Sequence, residues 1–390
     1  MASSVDTPNL SVYVLGAGFS APAGLPLGTA LWREIYGRAM IMAADRSQRA
    51  SKFRDDLQAF IEFKQQCHGI RLQPEEVIFE EFLGFLDIEH FLGLRGSETW
   101  SEAGNESQVI VKTLIGQVLS ESLPRQVPTL YLEFARKLKP RDIILTFNYD
   151  TLLESACEAV GTPFRLVHER YAHVYPSGSG TLDTSKDEVI ILKLHGSIDW
   201  FDRKPYRLRV EDAQRQGFSA VKLTDPVFNS SRNWNLARLI DGVRPEDDPL
   251  SEIYRLGDLK EFYKHPPWFL STPILLSPSI SKIVYAQKFK DLWWGLGYLG
   301  TTNLRMVIIG YSLPEHDDYA LQAIFRIVKN YQDKERDLSF TSKNPEPITF
   351  VDRLGDDAER ENYKRRYSFV DWNDARTFFG GFDLQVINSL

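Results

Sequence analysis

The sequence has few cysteines, no long hydrophobic run and no excess of positive charge, and each shortage excludes a class of protein. Cys67 and Cys157 are the only cysteines among 390 residues, too few for a four-thiolate zinc site, so we expect no structural zinc. We expect no other metal either, because the sequence has no pair of ligand clusters at suitable spacing. No run approaches the roughly 20 apolar residues that a membrane span requires. The N-terminus MASSVDTPNL lacks the basic and then apolar layout of a signal peptide, which predicts a cytoplasmic protein that does not contact membranes.

The charge balance argues against nucleic-acid binding. The formal net charge is −7, so the chain as a whole repels phosphate backbones. The strongest basic run, Lys364-Arg365-Arg366, is most simply a solvated helix face. We therefore expect no direct contact with nucleic acid.

Short apolar runs rich in Val, Ile and Leu predict the buried strands of a parallel sheet. They are Val12–Leu15, Ile143–Phe147, Val189–Leu194, Ile274–Leu276, Met306–Ile309 and Ile348–Val351. Helical patterns such as Tyr319–Tyr331 lie between them. This alternation predicts a doubly wound α/β sheet.

Two long stretches interrupt the alternation within what we interpret as one domain over residues 1–390. The first, residues 31–138, predicts a mainly helical insertion because apolar residues recur at helical spacing, among them Phe79, Phe82, Leu83, Leu86 and Phe91. The second, residues 201–273, mixes charged, aromatic and proline residues without a clear period. It is a second insertion whose structure the pattern does not predict.

A glycine-rich motif, GAGFSAPAGLP at residues 16–26, follows the first predicted strand. Glycines there let the backbone approach a pyrophosphate, and the N–H groups at the start of the next helix face its negative charge. Ala21 stands where the common dinucleotide fingerprint has its third glycine. A glycine turn without any ligand remains the alternative.

Polar residues follow two further predicted strands. Asn148 and Asp150, in TFNYD, lie where open α/β sheets place ligand groups, and Asn148 could hold a water or a ribose hydroxyl. The alternative is that they cap a helix over residues 151–159. His195, in KLHGS, titrates near neutrality and is a candidate general base, since Gly196 allows a turn that faces the imidazole toward a cleft. A structural histidine is the alternative.

The last motif is GYSLP, after the strand that ends at Ile309. Gly310 and Ser312 could contact phosphate or ribose, and Pro314 suits the first turn of a helix. The acids that follow, Asp317 and Asp318, together with His316 could suggest a metal site. Helix-start acids that complement the helix dipole are the preferred interpretation, because no second ligand cluster accompanies them.

Taken in order, GAGFSAPAGLP, TFNYD, KLHGS and GYSLP resemble the ordered signatures of the sirtuin family, which binds NAD in a Rossmann-like fold. The resemblance implies a nicotinamide pocket bounded by Asn148 and Asp150, with His195 acting at the nicotinamide ribose. It also implies cofactor contacts, on the pyrophosphate and adenosine sides, from Gly16, Ala17, Gly18, Ser20, Pro26, Gly310, Ser312 and Asp352.

The chain departs from the deacylating sirtuins in several places. Pro26 is followed by Leu27-Gly28-Thr29 in place of Asp-Phe-Arg, the zinc-binding cysteines are absent, and residues 201–273 replace the zinc module. Phe147 and Tyr149 stand where the deacylase motif has Gln and Ile. These departures resemble the zinc-free, sirtuin-like NADases of bacterial antiphage defence. That resemblance implies a partner such as a HerA-type ATPase, an Argonaute-type protein or a second sensing domain.

The sequence therefore predicts an NAD hydrolase that cleaves NAD to nicotinamide and ADP-ribose, with Asn148, His195 and Asp150 as catalytic residues. Because an unregulated NADase would poison its own cell, we expect a homo-oligomer or a partner to control activity. Two alternatives stay open. One is an NAD-dependent protein deacylase or ADP-ribosyltransferase, and the other is a non-catalytic regulatory module that binds NAD or ADP-ribose.

Overall fold

A computed structural model describes most of the chain: residues 10–45, 51–96, 104–175, 180–217, 225–245, 247–264, 272–277, 286–339, 341 and 343–390. Residues 1–9, on which the expectation about N-terminal targeting rests, lie outside the described residues. Of the helices in these ranges, none is both long enough and apolar enough to cross a membrane.

A parallel sheet of seven strands forms the centre of the fold, in the order β12-β11-β10-β1-β2-β6-β3. Its strands are β1 (Ser11–Leu15), β2 (Ile143–Thr146), β3 (Phe164–Arg165), β6 (Val189–Lys193), β10 (Arg305–Ile309), β11 (Ile348–Val351) and β12 (Ala375–Phe378). The chain builds outward from β1 through β2 to β6, and then returns to the other side of β1 for β10, β11 and β12. This reversal between β1 and β10 is the topological switch point of a Rossmann-like, doubly wound fold, as predicted.

Helices cover both faces of the sheet. Tyr13 of β1 packs edge-on against Phe134 of helix α6 (Thr129–Lys137), with ring centroids 5.5 Å apart. Phe350 of β11 packs against Tyr367 near helix α13 (Asp357–Arg366), at 5.3 Å. Phe350 is in register with Ile308, and Ile308 with Val14, the neighbour of Tyr13. Since successive strand residues point to opposite faces, the two aromatic contacts lie on opposite sides of the sheet.

Between β1 and β2 the described chain forms helices α1 (Ala17–Ser20), α2 (Gly28–Ala44), α3 (Ser51–His68), α4 (Phe79–Leu92), α5 (Glu106–Ser122) and α6. Aromatic side chains join them, since the Phe82 ring lies 5.9 Å from Trp32 and 6.0 Å from Phe53. Nearly every residue of α5 is buried, so this helix lies at the centre of the group. The group shares one continuous hydrophobic core with the sheet.

The remaining elements lie between and after the sheet strands. A three-stranded antiparallel sheet contains β7 (Trp200–Asp202), β9 (Ile253–Leu256) and β8 (Leu236–Arg238), and a hairpin pairs β4 (Tyr171–Val174) with β5 (Gly180–Leu182). The other helices are α7 (Leu152–Val160), α8 (Lys204–Arg215), α9 (Leu259–Lys264), α10 (Lys290–Trp293), α11 (Leu299–Thr302), α12 (Asp318–Tyr331) and α14 (Leu384–Ser389).

One predicted strand is wrong. Ile274–Leu276 makes an isolated antiparallel bridge, in which Leu275 opposes Gly196, and it does not join the central sheet. Its backbone instead crosses the loop that follows β6: Ser197 N–H donates to Ile274 O at 3.1 Å, and Leu276 N–H donates to His195 O at 2.9 Å. Leu275 and Leu276 are buried in that crossing, which accounts for an apolar run without a sheet strand.

Candidate active site

The register of β2 and β6 brings two predicted site residues to the same edge of the sheet. Thr146 pairs with Lys193, and the ladder continues as Leu194 N–H donates to Thr146 O at 3.0 Å. Asn148 and His195 each follow two residues beyond that pair. Beyond them, Ile198 N–H donates to Tyr149 O at 3.0 Å, which keeps the two loops together. The amide and the imidazole therefore lie on neighbouring loops at the carboxyl edge of the sheet.

The glycine motif packs directly against the loop after β10. Gly16 N–H donates to Ile309 O at 3.0 Å, and Gly18 N–H donates to Gly310 O at 2.9 Å. Gly310 has a φ of 62°, and a Cβ added there would lie 2.3 Å from the carbonyl carbon of Gly18. These glycines thus let the loops on either side of the switch point touch. Their contact with a pyrophosphate remains a prediction.

Asn148 is held by the glycine motif. Its Nδ2 donates to Gly16 O at 2.9 Å and to Ser20 Oγ at 3.1 Å, and Ser20 Oγ donates in turn to Asp150 Oδ2 at 2.8 Å. Asp150 Oδ1 also accepts from Leu152 N–H at 3.0 Å, at the start of α7, whose N-cap residue is Thr151. With Nδ2 anchored, Asn148 Oδ1 is the amide atom suited to accept a hydrogen bond from a water or a ribose hydroxyl.

A buried ion pair lies beneath this loop. Lys193 Nζ lies 2.8 Å from Glu154 Oε1 of α7, and both side chains are almost fully buried. Lys193 Nζ also donates to the backbone carbonyl of Asp150. Burial raises the pKa of Glu154, and the charge of Lys193 opposes that rise. The pair ties β6, α7 and the Asp150 loop together.

His195 lies among aromatic rings and one carboxylate. Its Nε2 is 2.8 Å from Asp317 Oδ2, and both side chains are buried. The Phe147 ring packs edge-on against the imidazole with centroids 5.0 Å apart, and it stacks on Tyr311 at 4.2 Å with an interplanar angle of 8°. Phe147 therefore connects the histidine to the loop after β10.

Asp317 makes two contacts, and the sequence predicts only one of them. It is the N-cap of α12, where Oδ1 accepts from Ala320 N–H at 3.2 Å, so the prediction of a helix-start acid is confirmed. The contact of its other oxygen with His195 was not predicted. Across the described ranges, no group of three or more His, Cys, Asp or Glu side chains could hold a metal ion.

Helix α4 contributes a second unpredicted acid, Glu80. Burial, reinforced by the charges of Glu81 and Asp317, raises its pKa to about 7. Its Oε1 lies 3.8 Å from the position of a Cβ added to Gly28, directly after the glycine motif. Burial also raises the pKa of Tyr149, and the charges of Glu80 and Asp317 add to that rise. The first turn of α4 thus brings a carboxyl group close to the loops that hold the predicted site.

Four further predicted residues lie around this group. Ala17 is exposed at the start of α1, and Pro26 lies between the glycine motif's 3-10 turn and α2. Ser312 is exposed, and its carbonyl accepts from Arg366 at 3.2 Å. Asp352 follows β11, where its Oδ1 accepts from Arg353 N–H at 2.7 Å and burial raises its pKa. Ala17 begins α1, and the other three lie on loops or turns in the segments that follow β1, β10 and β11.

Comparison with known proteins gives one match of family type. Residues 142–267 match the family model described as "SIR2-like domain". This range includes Asn148, Asp150 and His195. No curated protein matches the chain.

Solved sirtuins align over nearly the whole chain at low similarity. A sirtuin from a study of substrate affinity has 12% identity and a TM-score of 0.34, covering 97% of this chain and 92% of its own. A Sir2 enzyme from a study of mechanism and regulation has 13% identity and a TM-score of 0.36, covering 96% and 88%. A Sir2 structure in complex with an inhibitor, 2'-O-acetyl-ADP-ribose and a deacetylated p53 peptide has 10% identity and a TM-score of 0.36, covering 97% and 91%.

The sequence match to the SIR2-like domain is the basis for comparing this chain with sirtuins. That match covers the second and third motifs and the strands that carry them. Residues 142–267 are therefore similar to a SIR2-like domain, and they include strands β2, β3 and β6 of the Rossmann-like sheet.

Proposed function

We propose that this protein is an NAD hydrolase that converts NAD and water to nicotinamide and ADP-ribose, and that it acts as an NAD-depleting effector of antiphage defence. The observation that carries the proposal is the pairing of an anchored amide, Asn148, with a buried imidazole, His195, on neighbouring loops at the switch-point edge of the sheet. The SIR2-like match over the same residues supports NAD as the substrate.

In the proposed reaction the nicotinamide ribose lies between Asn148 and His195. Breaking the bond from the ribose to nicotinamide develops positive charge on the ribose, as in glycoside hydrolysis, and polar groups in a dry site stabilise that charge. His195 accepts a proton from a ribose hydroxyl or from the attacking water, and Asn148 Oδ1 orients that water. Asp150, which is bound to Ser20, maintains the nicotinamide pocket.

The remaining contacts of NAD are assigned by the sirtuin resemblance. The pyrophosphate lies against the glycine motif at Gly16, Ala17, Gly18, Ser20 and Pro26. The adenosine side lies against Gly310, Ser312 and Asp352. Support comes from the position of these residues beside the β1–β10 switch point, where open α/β sheets bind ligands.

The direct test is to incubate the purified protein with NAD and separate the products by chromatography. Asn148→Ala and His195→Ala should each lower nicotinamide release roughly 100-fold or more, because each removes a positioning or proton-transfer group. Asn373→Ala, which changes an exposed asparagine, is the matched control and should retain full activity. An unchanged rate in Asn148→Ala would refute the assignment.

The same assay separates the alternative functions. Nicotinamide release that depends on an added acyl-lysine peptide, or that labels a protein side chain, would indicate deacylation or ADP-ribosyl transfer. Binding of NAD without turnover in every assembly state would indicate a regulatory module.

We further propose that assembly with further copies of the chain, or with a partner such as a HerA-type ATPase, controls the activity. The burial of Asn148 and His195 supports this, since NAD needs access to both side chains. A monomer that hydrolyses NAD constitutively would contradict the proposal.

A further inference from the structure

We propose that Asp317 is the positioning residue of His195, and that it fixes the orientation of the imidazole and the ring nitrogen that carries the hydrogen; this inference rests on the proposed function. No signature of the sequence pointed to this role. It follows from the 2.8 Å contact between His195 Nε2 and Asp317 Oδ2, which joins the loop after β6 to the start of α12.

The carboxylate is itself rigidly held. Its Oδ1 accepts from Ala320 N–H at 3.2 Å as the N-cap of α12, and Asp317 N–H donates to Pro314 O at 3.1 Å. Asp317 has no exposed surface, and Ala320 beside it is equally buried. Because α12 extends over 14 residues, the carboxylate that faces His195 is fixed to a long element and not to a loose loop.

This contact has a chemical consequence for a general base. A carboxylate at Nε2 favours the tautomer with the hydrogen on Nε2, so the imidazole takes up its second proton at Nδ1. The negative charge then stabilises the imidazolium that forms, and burial strengthens the attraction. Asp317 thus makes His195 a stronger base and holds its ring at the same time.

Other ionisable groups lie around this pair, so the effect of Asp317 on His195 is measured by comparing an Asp317 variant with the unaltered protein. The ionisable groups that interact electrostatically with Asp317 include Glu80 on α4, Tyr149 after β2, Tyr311 after β10 and His316 before the N-cap; Asp87 on α4 acts on Tyr149. None of these is changed when Asp317 alone is replaced.

Asp317→Asn separates charge from structure, because asparagine caps helices as well as aspartate and has the same shape. The matched control is Asp318→Asn, which removes the same charge one residue later, in the first turn of α12. We expect Asp317→Asn to lower NAD turnover roughly 100-fold. In the pH–rate profile of Asp317→Asn, the acidic limb should lie about one pH unit lower than in the unaltered protein. The reason is that an imidazole without a neighbouring carboxylate has a lower pKa. Asp318→Asn should change neither quantity.

A second measurement does not depend on turnover. Nitrogen NMR of the histidines, with the His195 signals assigned by their loss in His195→Gln, should show hydrogen on Nε2 and a midpoint that falls by about one unit in Asp317→Asn. If the unaltered protein does not hydrolyse NAD, the proposed function fails while this titration still decides the role of Asp317. Identical His195 tautomer and midpoint in the two proteins would overturn the inference. If Asp317→Asn does not fold, Asp317→Ser, which keeps a capping hydroxyl, is measured in the same way.

Discussion

Gly310 lies where the loop after β10 meets the glycine motif, and its backbone conformation strongly favours glycine. Its φ of 62° disfavours side chains, and an added Cβ would lie 2.3 Å from both Gly18 C and Phe19 N. We predict that Gly310→Ala lowers the free energy of unfolding by about 3 kcal/mol or more, from backbone strain plus overpacking. Urea denaturation measures the loss.

The control for this substitution is Gly24→Ala. Gly24 also has a positive φ, 89°, but no heavy atom lies within 4 Å of an added Cβ. Gly24→Ala should lower the free energy of unfolding by about 1 kcal/mol, from backbone strain alone. Equal losses at the two positions would show that the contact between the loops contributes nothing.

Glu80 gives the protein a pH-dependent stability. Its pKa in the folded protein, about 7, lies above the ordinary value of 4.5, so the folded state holds this proton more tightly than the unfolded chain. The stabilising contribution is therefore complete below about pH 4.5 and is lost as the pH rises through 7. Glu80→Gln should match the unaltered protein at pH 4 and be more stable by about 3 kcal/mol at pH 8.

Urea denaturation at both pH values tests this prediction. Glu75→Gln, which neutralises an exposed acid shortly before α4, is the control and should show no such divergence. A constant difference between Glu80→Gln and the unaltered protein across the range would contradict the assigned burial of the carboxyl group.

Sequence position alone could predict which backbone positions reach the candidate site. Asn148, Asp150 and His195 each follow a strand of a parallel sheet, and the carboxyl ends of such strands share one edge. The partner of His195 could not be predicted in this way. Asp317 is distant in sequence, and its contact depends on how the first turn of α12 is oriented above the sheet.

At the scale of elements, the ion pair between Lys193 and Glu154 ties strand β6 to helix α7. We predict that Lys193→Met costs about 3 to 5 kcal/mol, because it leaves a buried carboxylate without its partner. Adding Glu154→Leu should recover most of that loss, since an apolar pair of similar volume needs no desolvation of charge. A double-mutant cycle by chemical denaturation measures the coupling. A double variant that is no more stable than Lys193→Met would contradict the predicted recovery of stability.

The strands differ in how strongly their sequences predict them. β1, β6 and β10 lie inside the sheet and are buried on both faces, so each is a continuous apolar run that predicts a strand. β3 and β12 are the edge strands, and their sequences, Phe-Arg and Ala-Arg-Thr-Phe, carry no such run. The residues of these two edge strands are half-buried or exposed, so their sequences need few apolar residues and do not predict a strand.

At the scale of the whole molecule, the proposed self-association predicts a response to changes at the end of α4. Phe91, Leu92 and Leu94 are 57%, 60% and 63% exposed, an unusual group for a water-facing surface. If this surface contacts a second copy, replacing Phe91 and Leu92 by Asp should shift the protein toward single chains in size-exclusion chromatography with light scattering, without lowering its melting temperature.

Ile41→Asp, at a 74% exposed position on α2, is the control and should leave the assembly unchanged. An unaltered protein that is a single chain at every concentration would contradict self-association, and an assembly that survives the double change would place its contacts elsewhere.

Helix α4 has one exposed, apolar end and one end beside the candidate site. It extends over 14 residues from Phe79 to Leu92, a rod of about 21 Å at the usual rise per residue. Glu80 is in its first turn and Phe91 in its last. A contact that tilts or slides α4 at its exposed C-terminal end would therefore shift the Glu80 carboxyl group, at the N-terminal end, relative to Asp317. The sheet would not need to rearrange.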